Sequence, residues 1–354
     1  MTLIIFLITL SILVLIHEFG HFIVAKKNGV LVEEFGFGLP PRIFGIKKGE
    51  TLYSVNWLPF GGFVKLYGED YESKIKKSLK KRAFSEKKTL EKAAIIVAGV
   101  VGNFLLAWLI FSYLFTQGIP VPTNKVIIEK VITDSPADKI RLLPGDQIVS
   151  LITPENKKKE LQKPEELIKL TKTNAGKKIT LMIKRGNKII QKSIIPRKNP
   201  PPNQGPLGIV ITSYEFKKYR WWQAPIYGLL DSLKITAKIF QEITKVFINF
   251  ITFQKQTVDI TGPIGIAKFA GEIIKFGKNA YLEFLALISL NLAVINILPF
   301  PALDGGRLAM VLYEGLTKRK INKHIEKNLN LLGFAILISL AIIISINDII
   351  NLIK

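Results

Sequence analysis

The chain has 354 residues, 48% of them apolar, with 50 Lys and Arg against 27 Asp and Glu, three His and no Cys. This length allows two or three domains, and the apolar content excludes a disordered or fibrous chain. The lack of Cys excludes a disulfide framework, thiolate metal ligands and a Cys nucleophile. A positive mean hydropathy (+0.29) beside so much charge requires the two to be segregated along the chain.

In chain order, residues 2–25 form the first of four stretches long enough to cross a bilayer, which takes about 20 apolar residues in a helix. No Lys or Arg precedes this run and no small-residue cleavage pattern follows it, so it reads as a retained anchor rather than a signal peptide. Residues 26–92 carry 15 Lys and Arg against 8 acids. Within them, 31–38 and 51–66 have strand character with Gly and Pro at the breaks, which predicts a β-loop over 30–67. The second span is 93–117. Residues 123–198 alternate strand-like runs (125–131, 147–151, 178–184, 188–195) with one helical stretch (164–172), and Gly186-Asn187 marks a turn. Residues 198–206, with three consecutive prolines, read as a stiff linker.

Over 221–250, Trp222, Ile226, Leu229, Leu233, Phe240, Ile243, Phe247 and Phe250 recur at helical spacing. Such a stripe predicts an amphipathic helix, either in the membrane interface with Trp221 and Trp222 as belt residues or packed on a soluble domain. The third span, 281–298, is short and carries Glu283, Asn291 and Asn296, so a buried soluble helix is its alternative; the fourth is 331–350. The expected domains are a membrane half over 1–122, a globular domain over 123–198, linker and interfacial helix over 199–280, and a second membrane half over 281–354.

Charge orients the spans. Cytoplasmic loops collect Lys and Arg, which places 26–92 and 300–330 (6 basic against 3 acidic residues) inside, and both termini with 118–280 outside. The latter segment holds 28 basic residues, but long translocated domains are largely exempt from the rule. No nucleic-acid recognition motif accompanies the charge, and attraction to anionic lipid head groups accounts for it more simply.

Residues 17–21 read His-Glu-Phe-Gly-His, an H-E-x-x-H pattern inside the first span. His17 and His21 are four apart and project from one helix face, where two imidazoles can share one Zn²⁺. Glu18 lies about 100° around the helix, placed to serve as general base and then proton donor without ligating the metal. Ionisable groups in a membrane helix are expensive and point to function; hydrogen bonding within a helix bundle is the alternative.

A catalytic zinc usually takes three protein ligands. His324 sits in a hydrophilic stretch suited to solvent. Asp304 is the better candidate: it follows Asn296-Ile297-Leu298-Pro299-Phe300-Pro301 and precedes Gly305-Gly306, where prolines break the helix and glycines permit a tight turn. Its alternative role is N-cap of a helix over 307–316. A helix starting near residue 2 carries position 17 about 23 Å from its outer end, which puts the metal nearer the cytoplasmic face. Asn103 and Asn296 are candidates to hold substrate backbone, with plain helix–helix contact as the alternative.

With its H-E-x-x-H at 17–21 and its N-x-x-P-x-P-x-x-D-G at 296–305, the sequence resembles the site-2 protease family of intramembrane zinc metalloproteases, in its bacterial RseP-type branch. Lesser matches are Gly36-Phe37-Gly38, Pro59-Phe60-Gly61-Gly62, Ala98-Gly99 with Asn103, and Gly262-Pro263-Ile264-Gly265-Ile266. Residues 135–148, with Pro144-Gly145-Asp146, look like the core of a single PDZ domain, although Ile140-Arg141 stands where small Ala-Gly is common.

The resemblance implies a four-helix, multi-pass α-helical membrane protein with a membrane-associated β-loop and an inserted extracytoplasmic α+β PDZ domain. It implies Zn²⁺ held by His17, His21 and Asp304, with Glu18 catalytic, in a protease of the cell inner membrane. The implied partners are the lipid bilayer, transmembrane protein substrates such as a trimmed anti-sigma factor or remnant signal peptides, and a peptide or C-terminus on the PDZ domain. Two rivals remain at this stage. One is a non-enzymatic PDZ-bearing adaptor with a vestigial metal site; the other is a membrane zincin whose third ligand is Glu283.

Overall fold

A computed structural model describes residues 2–69, 75–252 and 262–353. The chain divides into two compact units, one built from 1–116 with 220–354 and the other from 117–219.

The first unit contains the helices α1 (Thr2–Lys27), α2 (Thr89–Gln117), α5 (Ala224–Ile251), α6 (Pro263–Ile273), α7 (Lys278–Ile297), α8 (Asp304–Thr317) and α9 (Lys323–Ile353). Four of them, α1, α2, α7 and α9, are long and apolar enough to cross a membrane. Helices α1 and α2 meet backbone to backbone because both supply glycine at the crossing. A β-carbon on Gly20 would lie 2.2 Å from the Ala98 carbonyl oxygen, and one on Gly102 would lie 2.9 Å from that of Ile16. Small residues are what allow such close approach where lipid removes the hydrophobic drive.

Strands β1 (Val32–Lys48) and β2 (Thr51–Leu66) form the β-loop, and each bends at its prolines. The bends fold the hairpin on itself. Phe35 lies opposite both Val64 and Tyr53, Gly36 opposite both Phe63 and Ser54, and Phe37 opposite both Gly62 and Val55. Residues 62–66 therefore form one outer edge of a curled sheet. The curled sheet rests on α1, where Ser11 Oγ donates to the Pro59 carbonyl at 3.1 Å and Phe22 packs against Phe35 in a tilted pair and against Tyr53 edge-on.

Beyond α7, the Pro299–Pro301 turn reverses the chain and α8 begins at once. The fit is tight: a β-carbon on Gly305 would lie 2.2 Å from the carbonyl oxygens of Ile297 and Leu298, and one on Gly306 would lie 2.3 Å from that of Phe300. Leu303 occupies the N-cap position, so the Asp304 side chain does not cap the helix. Helix α6 is capped from α9, since Asp348 accepts the Gly262 and Gly265 N–H groups at 3.2 and 2.8 Å. Helix α5 docks through Trp108 Nε1, which donates to the Pro225 carbonyl at 2.8 Å, and leaves Trp221, Trp222, Ile226, Leu229, Leu233 and Phe240 exposed.

The second unit holds β3 (Ile119–Val131), α3 (Pro136–Lys139), β4 (Gln147–Ile152), β5 (Lys158–Glu160), α4 (Pro164–Thr173), β6 (Ile179–Arg185), β7 (Lys188–Ile194) and β8 (Ile209–Lys217). Its antiparallel sheet has the order β7-β6-β4-β3-β8, with β5 added to β4. The alternating inward residues Val126, Ile128, Ile148, Leu151, Leu181 and Ile183 bury a core closed by Leu167 of α4. Strand β8 forms in a stretch read from sequence as linker: Leu207 enters the core and Ile211 lies opposite Ile128.

Candidate metal centre

The H-E-x-x-H turn lies in the C-terminal half of α1, and α8 brings Asp304 to it. Both imidazoles are buried. Nε2 of His17 lies 2.9 Å from Asp304 Oδ2, Nε2 of His21 lies 3.2 Å from the same oxygen, and the two Nε2 atoms are 3.1 Å apart. Ligand atoms 2.0–2.1 Å from a tetrahedral zinc stand about 3.3 Å apart, so the triangle is close to the size the ion requires.

The donor set passes a second test. Nδ1 of His21 donates to the Ile95 carbonyl oxygen at 2.8 Å, which leaves the Nε2 lone pair of the neutral ring facing inward. Asp304 Oδ2 is buried without a hydrogen-bond partner among the described residues. Lone pairs of two imidazoles and a carboxylate thus converge on one point, an arrangement that a cation satisfies and that no proton on the His21 Nε2 is needed to explain. These are the only three residues among those described that form such a His/Asp/Glu group.

Glu18 does not join the triangle. Its Oε2 accepts the Val64 N–H at 3.0 Å, so the edge of the β-loop fixes where the carboxylate points. Glu18, His17, Asp304, Asn103 and Asn296 line one cavity of about 230 Å³, together with Val14. Asn103 is fully buried, yet neither side-chain polar atom has a partner among the described residues. An amide held dry and unpaired at a cavity wall is costly unless something else completes it.

The other candidates fall elsewhere. His324 is exposed at the start of α9. Glu283 is exposed near the start of α7, thirteen positions before Asn296 and so about 20 Å from it along the helix. Three contributors were not identified from the sequence. They are the Val64 N–H that aims Glu18, the Ile95 carbonyl that orients His21, and Gly99, which leaves room for both rings. Only Gly99 left a trace there, as one of the small residues matched around 98–103.

A carboxylate beside a buried His-His-Asp triangle, among helices long and apolar enough to cross a membrane, is the arrangement expected of a membrane zinc metallopeptidase. The model of Peptidase family M50 matches residues 5–340, and the chain belongs to this family. It is a zinc metalloprotease of the site-2 protease type, as the resemblance implied. "Putative zinc metalloprotease CPE1693" from Clostridium perfringens is 35% identical over 344 residues, 97% of each chain. The regulator of sigma-W protease RasP from Bacillus subtilis is 27% identical over 425 residues, covering 98% of each. The solved PDZ domain of an SdrC-like protein from Listeria monocytogenes is 21% identical and covers 27% of this chain, at a TM-score of 0.22 that is too low to bear on the fold.

Proposed function

We propose that this zinc endopeptidase cleaves peptide bonds within transmembrane segments of other membrane proteins, with His17, His21 and Asp304 as ligands and Glu18 as the proton-transfer residue. The observation that carries this reading is the cavity that Glu18, His17 and Asp304 share with the unpartnered Asn103 amide. Bound in the triangle, zinc would supply Lewis acidity toward a carbonyl and make water nucleophilic near neutral pH. Glu18 is held by Val64 beside that point, where it takes a proton from water and returns it to the leaving amine. A transmembrane helix hides its carbonyls in its own hydrogen bonds and must unwind before attack. Asn103 and Asn296 are placed to bond the freed backbone.

The charge distribution favours both termini and the 117–219 unit on the extracytoplasmic side, with the metal nearer the cytoplasm. We assign the 117–219 unit as a PDZ domain, from its helix α4 set beside the edge strand β8. The groove between them, about 300 Å³, is lined by Leu167, Ile168, Leu207, Ile209 and Ile211 and suits an apolar peptide end. A membrane-anchored anti-sigma factor already cut on its outer side, or a remnant signal peptide, fits this screen. The adaptor reading has nothing comparable to support it, since a scaffold needs no Glu18 aimed into a metal cavity.

Purified protein in lipid vesicles with a model transmembrane substrate tests the proposal. Glu18→Gln should lower turnover roughly 10²–10⁴-fold while retaining zinc. Equal product from both proteins would reject the mechanism.

A further inference from the structure

We propose that Glu69 and Arg307 form a brace that sets the separation between Glu18 and Asp304, the two groups that must act on the same bond from different elements. This rests on the peptidase reading above. Successive outward N–H groups on a strand edge are two residues apart. On the 62–66 edge, Val64 donates to Glu18 Oε2 at 3.0 Å and Leu66 donates to Glu69 Oε2 at 3.2 Å. Two carboxylates therefore hold neighbouring positions of one edge, one in the cavity and one outside it.

The other oxygen of Glu69 receives Nη1 of Arg307 at 2.5 Å. Arg307 follows Asp304 by three residues on α8, so the two share a helix face. The guanidinium also stands 5.9 Å from the centre of the Phe84 ring, in cation–π range. Phe84 is itself buried, and its N–H donates to the Tyr67 carbonyl at 2.8 Å, one residue past Leu66. The contacts close a ring that runs from Glu18 through Val64, Leu66, Glu69 and Arg307 to Asp304 and back to the histidines. Side-chain exposure of 19% for Glu69 and 32% for Arg307 keeps the pair partly shielded, where an ion pair holds geometry better than at an open surface. Neither residue lines the 230 Å³ cavity. They are positioning residues, and their effect is on the alignment of groups for which a displacement of about 1 Å can cost about 10²-fold in rate.

A double-mutant cycle with Glu69→Gln and Arg307→Met tests the brace, read as kcat, KM and zinc affinity by chelator competition. Glu69→Gln keeps an oxygen for the Leu66 N–H and sets an amide NH₂, which cannot accept, against Arg307. Each single change should lower kcat and zinc affinity by about 10-fold with KM unchanged. The double variant should lose no more than the worse single, because both remove one contact. Arg307→Lys, which keeps a cation between Glu69 and Phe84, should retain most of both.

Unchanged kcat and zinc affinity, losses that multiply in the double variant, or a rise in KM alone would each overturn the proposal. If Arg307→Met does not fold, Glu69→Gln against Arg307→Lys decides. The chelator competition reads the brace even if turnover proves independent of Glu18, so failure here is distinct from failure of the peptidase reading.

Discussion

Gly99 stands so close to His21 that a β-carbon on it would lie 2.4 Å from Nε2, and 2.7 Å from Cε1 of His17. Real β-carbons do not approach other atoms that closely, so any side chain here must displace the rings or push α2 away from α1. Gly99→Ala should cost about 1–3 kcal/mol of stability and, more tellingly, most of the zinc affinity. Zinc titration beside a thermal melt checks this. A Gly99→Ala protein that binds zinc like the wild type would show that the rings are not packed as described.

The three proposed ligands predict how metal should act on stability. A ligand bound only by the folded state, at a hundredfold excess over its Kd, adds about 2.7 kcal/mol. Chelation should lower the melting temperature of the wild type and leave that of Asp304→Ala unchanged. Glu283→Ala and His324→Ala should keep full metal content, because both side chains are exposed away from the cavity. Loss of zinc from Glu283→Ala instead of Asp304→Ala would move the third ligand.

Asp146 ties the 117–219 unit together and predicts an acid limit for it. Its side chain is buried; Arg185 Nε donates to Oδ1 at 2.7 Å and Nη2 to Oδ2 at 2.8 Å, and the Leu143 N–H adds 2.9 Å. Burial alone pushes the carboxyl up, but Arg185 and the Leu143 N–H together hold it below the ordinary aspartate value. A folded value below the unfolded one stabilises at pH above the ordinary Asp range, and that contribution is lost as pH falls through the folded value. Asp146→Asn should cost about 2–3 kcal/mol near neutral pH and flatten the acid dependence. Urea-dependent proteolysis of the 117–219 segment at several pH values reads both. An unchanged acid limb in the variant would assign it to other groups.

The exposed stripe on α5 is preceded by Trp221 and Trp222, whose rings lie 5.7 Å apart and nearly perpendicular. An interfacial helix keeps such belt residues at head-group depth. In vesicles, lipids brominated near the head group should quench more wild-type fluorescence than those brominated at the chain end. The excess should vanish in Trp221→Phe/Trp222→Phe. Equal quenching of both proteins would place the stripe against something other than lipid.

The chemistry was legible where it is local. His17, Glu18 and His21 lie within one turn and a half of one helix, and Asp304 is marked by the prolines and glycines that a tight reversal needs, so spacing alone singled them out. Contacts between distant segments left little trace. Nothing in the run around Val64 says that its N–H will meet Glu18, and nothing around Ile95 says that its carbonyl will orient His21. Strand β8 was hidden by the prolines before it, although Ile209 and Ile211 alternate as a half-buried strand should. Strand β1 continues past Pro40-Pro41 into the distal end of the β-loop, where the sequence reading stopped at Gly38. Prolines are tolerated there because a bend needs no unbroken ladder. The exposure of His324 agrees with its hydrophilic setting.

The order in which the ligands occur along the chain has a bearing on biosynthesis. Domains emerge and fold N-terminus first, so a growing polypeptide presents His17, Glu18 and His21 long before Asp304 has been translated. Until then the nascent chain has two of the three proposed protein ligands and no complete hydrolytic centre, while freshly inserted neighbours surround it. A complete site thus cannot precede translation of residue 304. Ribosome-stalled chains ending before residue 304 should neither retain zinc against a chelator nor cut a substrate, and cutting by such chains would refute this.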